Sequence, residues 1–379
     1  MKRIAVLGST GSIGKQTLDV VDRLPGEFAV TALAAHRNVA MLAEQAARYK
    51  AEAVCIGDPT AIPELRAALA TRGWNGELCS GVEGLCQLAA LQSCDLLVMA
   101  LAGAIGIRPT HAALSAGKDV ALASKEVLVA AGESTMALAT QHGARIVPID
   151  SEHSAILQCI EASPAHVERI ILTCSGGPFR TASVAQMAEA TLATALNHPT
   201  WQMGGLVTVN SATLMNKALE IIEAHWLFGV AIEAVDVVIH PQSIVHSFVQ
   251  FRDGSVIGQL GLPDMRLPIQ LALTWPRRIN SGLPRLQVGD YAELTFHLPR
   301  LEAFPALNLA RCAANTGGTM PAVMNAANEA AVELFCRGEL GFLEIVQRVE
   351  EVMSRHTMQA ATLDNVLAAD AWARLEAQH

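Results

Sequence analysis

Gly8-Ser9-Thr10-Gly11-Ser12-Ile13-Gly14 is the stretch on which the fold turns. It follows at once on the apolar run 3–7 and opens the helix-like stretch 12–24. Glycines at these places allow a tight turn and let a pyrophosphate approach the free N–H groups of a helix start. The spacing is GxxGxxG rather than GxGxxG, and an ordinary strand-to-helix turn would carry glycines too. Its place in a strand–loop–helix unit weighs toward nucleotide binding.

Through residue 149 the same alternation repeats. Strands are expected at 3–7, 29–34, 53–56, 96–100, 120–123 and 145–149, with helices such as 12–24 and 39–49 between them. That is the pattern of a Rossmann-like parallel sheet with crossover helices, an α/β domain over 1–149. From 150 to 275 the pattern becomes α+β. Apolar runs at 235–240, 243–251 and 255–260 stand close together, and Arg252-Asp253-Gly254 predicts a hairpin with the Asp-Gly pair of a type I′ turn. Residues 276–304 hold Pro276, Pro284 and Pro299 with little periodicity, the mark of a linker. Over 305–379 the chain reads as helical. Phe342, Ile345, Val346, Val349, Val352 and Met353 share one helix face, flanked by helical stretches at 320–337 and 362–376, so a small bundle closes the chain.

A chain of 379 residues exceeds one ordinary domain. Hydrophobic residues at 51% assure a core, and aromatics at 4% leave Ala, Leu, Val and Ile to fill it. The net charge of −9 argues against nucleic acid as a partner. It also requires that any anionic ligand meet cations, or a metal, gathered in one cleft. The longest apolar stretch, 96–107, falls short of the roughly 20 residues a membrane span needs. The first strand begins at once, so no signal peptide is expected, and eight scattered cysteines without a CxxC read as reduced thiols of a cytoplasmic protein.

About twenty residues past the glycine loop, where an NAD enzyme offers an acid to the ribose, the chain has Ala35-His36-Arg37-Asn38. Arg37 can pair with a 2′-phosphate that a carboxylate would repel, which favours NADP; a plain loop cation would look the same. Ser124-Lys125-Glu126 stands at the end of the strand 120–123, the sheet edge where ligands bind. Asp150 and Glu152 follow the next strand at i, i+2, which in an extended segment turns both carboxylates to one side. Glu220 from a later helix would complete an all-oxygen set for Mg²⁺ or Mn²⁺. Alternatively Asp150 is a helix N-cap and Glu152 a solvated acid.

Thr173-Cys174-Ser175-Gly176-Gly177-Pro178 offers N–H groups and a hydroxyl to a phosphate, or is only a turn. Residues 198–205 set Trp201 and Met203 between breakers, as a lid over a site or a plug in the core. In 214–226, Asn216, Lys217 and Glu220 share one helix face and Leu219, Ile222 and Trp226 the other, as a merely solvated face would also show. Taken together these features point to a metal-assisted reductase acting on a small anionic substrate.

As an ordered set the motifs resemble the 1-deoxy-D-xylulose 5-phosphate reductoisomerase family. The stretches that carry the resemblance are GSTGSIG (8–14), SKE (124–126), DSEH (150–153), SGGPFR (175–180), HPTWQMG (198–204), NSATLMNKALE (210–220), HPQSIVHS (240–247) and NAANE (325–329). The resemblance implies NADPH-dependent conversion of that sugar phosphate to 2-C-methyl-D-erythritol 4-phosphate for isoprenoid synthesis. It implies a homodimer of subunits with an NADPH domain, a catalytic domain with a lid near 198–205, and a C-terminal bundle. Asp150, Glu152 and Glu220 would be the metal ligands. Ser175, His198, Ser211, Asn216 and Lys217 would hold the phosphate, with Lys125, Ser151 and Glu152 near the reacting carbons. Thr10, Gly11, Ser12, Ile13, Arg37, Asn38, Glu126 and Gly204 would line the cofactor. Three positions depart from the family pattern: Ser124, where Asn is typical, and His36, where Gly is common, both on the cofactor side, and Asn210, where Asp is frequent. A metal-dependent NADP dehydrogenase and an NADP-sensing binding protein remain as alternatives. The first needs no phosphate pocket, and the second shows no metal-dependent NADPH oxidation.

Overall fold

The computed structural model describes residues 1–201 and 203–379, which form two compact units. The first comprises Met1–Val127, Thr135–Ser154 and Asp264–Leu283; the second comprises Leu128–Ser134, Ala155–Pro263 and Pro284–His379. These divisions fall elsewhere than 1–149, 150–275, 276–304 and 305–379.

The first unit alternates β1 (Lys2–Leu7), α1 (Ser12–Arg23), β2 (Phe28–Ala35), α2 (Val39–Tyr49), β3 (Ala53–Ile56), α3 (Ile62–Ala70), β4 (Glu77–Ser80), α4 (Gly81–Ala89), β5 (Leu96–Met99), α5 (Ile107–Ser115), β6 (Asp119–Leu122), α6 (Glu126–His142) and β7 (Ile146–Pro148). The strands lie in the order β4-β3-β2-β1-β5-β6-β7, all parallel. The central strands are apolar on both faces because helices cover both: Ile4, Val6, Leu33, Leu97, Val98 and Val120 are fully buried. The strand β4 escapes the sequence pattern because it is a four-residue edge strand with a single buried side chain, Cys79. The helix α6 bends at Ala131 (φ −131°, ψ 27°), and its middle, Leu128–Ser134, belongs to the second unit.

In the second unit α7 (Ser151–Ile160) leads to β8 (Val167–Cys174), then α8 (Val184–Ala188), α9 (Leu192–Ala195), α10 (Gly205–Ala212) and α11 (Met215–Phe228). The strands β9 (Val235–Ile239), β10 (Val245–Phe251) and β11 (Val256–Leu260) join β8 in a mixed sheet ordered β11-β10-β8-β9. After α12 (Arg266–Thr274), which packs in the first unit, come α13 (Ala306–Thr316), α14 (Met320–Arg337), α15 (Glu344–Arg355) and α16 (Leu363–Glu376). Sheet and terminal helices share one core. Leu172, Ile239 and Val249 belong to the same apolar cluster as Leu219 and Ile222 of α11 and Val323, Ala327, Ile345 and Val349 of the bundle.

The β10–β11 hairpin forms as expected, but its turn is not type I′. Only Gly254 takes positive φ (+85°); Gly254 N–H donates to Phe251 O, and Phe251 N–H donates to Ser255 O. This is a three-residue loop with a left-handed glycine, in which Asp253 Oδ1 accepts from Ser255 N at 2.9 Å. The linker stretch is irregular, as its prolines suggest, yet His297 pairs with Ile239 in both directions and Phe296 stacks on His240 at 4.6 Å.

Candidate active site

The first unit is doubly wound. Its strand order reverses between β1 and β5, and the loop 8–14 leaves β1 at that switch point, where open α/β sheets bind ligands. Gly8 has φ +92°, and a Cβ there would lie 2.3 Å from the carbonyl oxygen of Ala100. A Cβ on Gly14 would lie 2.2 Å from Gly8 O. The loop is thus packed too closely for side chains at its two ends, while Gly11, Ser12 and Ile13 form the entry of α1, which no side chain caps. Ser9 Oγ and Gln45 (2.7 Å) tie the loop to α2.

Arg37 follows β2 with its side chain 73% exposed, and its Nε pairs with Asp58 at 2.7 Å. The Asp58 carboxyl is held below its ordinary range by hydrogen bonds from Thr60 first and by Arg37 after. Asn38 caps α2 by accepting from Met41 N. Ser124 donates to the carbonyl of Leu101, and Glu126 begins α6. His36 lies against Gly57, where a Cβ would come 2.9 Å from its Nδ1.

Asp150 and Glu152 are not in an extended segment, so the i, i+2 argument does not apply. The strand ends at Pro148 and α7 begins at Ser151, which puts Asp150 at the helix entrance and Glu152 in the first turn. Lys125 Nζ meets Asp150 Oδ2 at 2.6 Å with both side chains largely buried, and Ser151 Oγ bonds Glu152. A helix entrance favours carboxylates through the helix dipole.

The second unit holds the remaining candidates. The polar face of α11 is not solvated: Lys217 and Glu220 are 2% and 0% exposed, and they form an ion pair. Asn216 Nδ2 donates to the other Glu220 oxygen at 2.5 Å. Burial of opposite charges on one helix costs desolvation that packing alone would not require. Glu223, fully buried at the next i, i+3 step, was missed; the spacing that singles out Glu220 also finds it.

His198 Nδ1 accepts from Thr200 N (3.1 Å) and Trp201 N (2.8 Å). Burial lowers its pKa, so the neutral ring keeps its proton on Nε2 and donates to Ser175 Oγ at 2.9 Å. Gly177 N–H also donates to that oxygen. With two donors on its oxygen, the Ser175 hydroxyl is set to donate its own proton, as an anion requires. Gly177 has φ +67°, and a Cβ there would lie 2.7 Å from Ser211 O, so the loop after β8 lies directly on the end of α10. Gly204 precedes α10 as its N-cap residue. Gln202, within the expected lid, lies outside the described residues. Asn210 Oδ1 accepts from Asn328 Nδ2 of α14 at 3.0 Å, a role a carboxylate would fill equally well. His246, also missed, is buried on β10 with its pKa pushed down to about 4 by desolvation, its ring 6.3 Å from that of Trp201. No apolar periodicity marks a lone histidine in a strand.

The first unit therefore brings together Lys125, Asp150, Ser151 and Glu152, and carries Thr10 to Ile13, Arg37, Asn38, Ser124 and Glu126. The second brings together Ser175 with His198, and Asn216 and Lys217 with Glu220, with Ser211 beside Gly177. A doubly wound dinucleotide-type unit, joined to one that buries cations and carboxylates on a single helix, defines an oxidoreductase-type architecture. Three family models match this chain: 1-deoxy-D-xylulose 5-phosphate reductoisomerase over residues 4–132, the C-terminal domain of that enzyme over 146–228, and the DXP reductoisomerase C-terminal domain over 260–376. The 1-deoxy-D-xylulose 5-phosphate reductoisomerase of Heliobacterium modesticaldum is 51% identical over 99% of this chain and 96% of its own. That of Symbiobacterium thermophilum is 52% identical over 98% and 97%. The Zymomonas mobilis enzyme, solved in complex with NADPH, superposes with a TM-score of 0.92 at 42% identity, covering 99% and 98% of the two chains. A DOX-P reductoisomerase in complex with NADPH, fosmidomycin and magnesium gives 0.96 at 37% identity, covering 100% and 98%. The chain belongs to the 1-deoxy-D-xylulose 5-phosphate reductoisomerase family.

Proposed function

We propose that the protein converts 1-deoxy-D-xylulose 5-phosphate to 2-C-methyl-D-erythritol 4-phosphate with NADPH and a divalent metal, in isoprenoid precursor synthesis. The observation that carries this reading is the pair Lys217 and Glu220 buried on α11, with half-buried Asn216 bonded to Glu220, alongside the hydroxyl of Ser175 held by His198. Ser175, Ser211, Asn216 and Lys217 bind the substrate phosphate, Lys217 supplying the charge and Ser175 a fixed donor. His198 keeps that donor oriented, and Trp201, whose N–H bonds its Nδ1, would cover the substrate and exclude water.

Asp150, Glu152 and Glu220 suit a hard divalent ion by their all-oxygen chemistry, and Mg²⁺ or Mn²⁺ held there would polarise the ketone and its neighbouring hydroxyl. Lys125 and Ser151 position the carboxylates Asp150 and Glu152 close to the reacting carbons. Thr10, Gly11, Ser12, Ile13, Arg37, Asn38, Ser124, Glu126 and Gly204 hold NADPH, which supplies the hydride for the aldehyde formed by rearrangement. In functional terms 1–149 serve the cofactor, 150–275 catalysis and dimerisation, 276–304 link, and 305–379 buttress the site. Consumption of NADPH with 1-deoxy-D-xylulose 5-phosphate, with and without Mg²⁺ or Mn²⁺, tests the reading. Oxidation that needs no metal, or none with this substrate, overturns it.

Arg37 is expected to select the cofactor. Arg37→Asp raises KM for NADPH about 10- to 100-fold, the worth of one or two charge-assisted hydrogen bonds, and leaves KM for NADH nearly unchanged. Equal shifts for both cofactors remove Arg37 from the 2′-phosphate.

The protein works as a homodimer in the cytoplasm. Support for pairing comes from β11, an edge strand exposing Val256, Ile257 and Leu260, since exposed apolar edges invite pairing. All eight cysteines are free, as a reducing compartment requires, and no helix among the described residues is long and apolar enough to cross a membrane. Sedimentation of Ile257→Lys is expected to give half the mass of the parent protein. An unchanged mass places the interface elsewhere.

A further inference from the structure

Apart from the groups assigned above, the second unit contains a cavity of about 420 Å³ between the loop after β8 and the strap 295–300. None of Ser175, His198, Ser211, Asn216 and Lys217 lines it. Its walls are of two kinds. Ile239, Leu298 and Phe304 give an apolar side, while Arg180, Arg300 and Thr295 give a polar one. No carboxylate lines the cavity, and among the described residues neither arginine has an ion pair. In a chain of net charge −9, two arginines lining one cavity without a counter-charge concentrate positive potential there.

Arg300 is anchored: its Nη2 donates to Ala182 O at 2.8 Å, and its guanidinium lies 5.6 Å from the Phe304 ring centroid. Its Nε is buried and has no hydrogen-bond partner. A buried charged donor left unmade is costly, and an anion held in the cavity would offset its charge through space. The volume lies within the range of small-molecule sites. Gly176 and Leu214 complete the wall, and Leu214 is a bulky residue held at φ +59°, a conformation that strains any branched side chain.

We propose that this cavity binds an organic phosphate ester with a short apolar body, at a site separate from the substrate phosphate pocket. The phosphate meets Arg180 and Arg300, and the apolar body lies against Ile239, Leu298 and Phe304. The inference goes beyond the activity proposed above, and its test needs no turnover.

Phenyl phosphate is titrated calorimetrically into the full-length protein, into Arg180→Gln and into Lys217→Ala. Binding is expected to weaken roughly tenfold or more in Arg180→Gln, the loss of a charge-assisted contact, and to persist in Lys217→Ala. Leu298→Glu, at an 84% exposed position on the rim, is expected to weaken it by like-charge repulsion without risk to folding. Inorganic phosphate is expected to bind more weakly than phenyl phosphate, and kcat and KM of Arg180→Gln to stay at parent values. Loss of binding in Lys217→Ala but not in Arg180→Gln assigns the probe to the substrate pocket and overturns the inference. So does equal binding of inorganic and phenyl phosphate. Failure of the proposed activity is read separately, from NADPH consumption by the parent protein.

Discussion

Glu220→Gln is expected to lower metal-dependent turnover on the order of 10³-fold, since the proposed ligand charge would supply several kcal/mol of transition-state stabilisation. NADPH affinity stays within about twofold, since Glu220 sits on α11 and the glycine loop on α1. Calorimetric titration of Mg²⁺ or Mn²⁺ is expected to show affinity reduced on the order of 100-fold, which reads the ligand role without turnover. The same substitution acts on stability. Lys217 is 2% exposed and pairs with Glu220, so neutralising Glu220 removes one buried ion pair. Breaking such a pair costs about 3 kcal/mol, and the metal-free variant is expected to melt several degrees lower. Adding Lys217→Met should restore the melting temperature and leave turnover lost. Near-parent activity of Glu220→Gln at low metal concentration removes the residue from the site.

A phosphonate bearing a hydroxamate at its far end is expected to inhibit competitively with the sugar phosphate, and to need divalent metal to do so. The phosphonate is expected to take the place of the substrate phosphate at the proposed pocket of Ser175, Ser211, Asn216 and Lys217. The hydroxamate offers two oxygens in place of the ketone and hydroxyl. Removing the metal weakens the inhibitor by at least about 100-fold, as both ends must be held for either to contribute fully. Lys217→Ala weakens it about 10- to 100-fold and raises KM for the substrate, the worth of a buried charge-assisted contact. Trp201→Ala weakens inhibitor and substrate together through loss of closure. Inhibition of equal strength without divalent metal, measured by titration of the purified protein, sinks the chelation model.

The sequence made the parallel sheet legible because its strands are short apolar runs set against longer helical stretches, and α2 and α14 fall where periodicity places them. It lost β4, whose edge position leaves only one inward side chain to signal a strand. It extended the strand before Asp150 too far, since an N-cap residue and a strand-end residue look alike until the helix is seen to begin at Ser151. The candidate residues of α11 were legible as a shared face, but period alone does not distinguish a face bathed in water from one sealed in the interior. Only burial separated those readings, and with it Glu223 and His246 came into view. The hairpin was found from Asp-Gly, while its turn type depended on a third loop residue, Arg252, that the dipeptide rule does not count.

The placement of α12 bears on how the chain is made. Arg266 bonds Asp19 on α1 at 3.1 Å, Lys2 donates to Leu273 O at 2.8 Å, and Arg277 pairs with Glu27 at 2.8 Å. A nascent chain that has emerged only through its last parallel strand still lacks this helix, and the apolar groups of Ile269, Leu271 and Leu273 that are buried in the finished unit are not yet synthesised. The first unit therefore cannot reach its full stability at the ribosome until more than a hundred further residues have followed, most of them destined for the other unit. Excising it as a fragment ending near residue 150 would leave an unsealed patch on α1, so the two halves of this protein cannot be exchanged as separate cassettes.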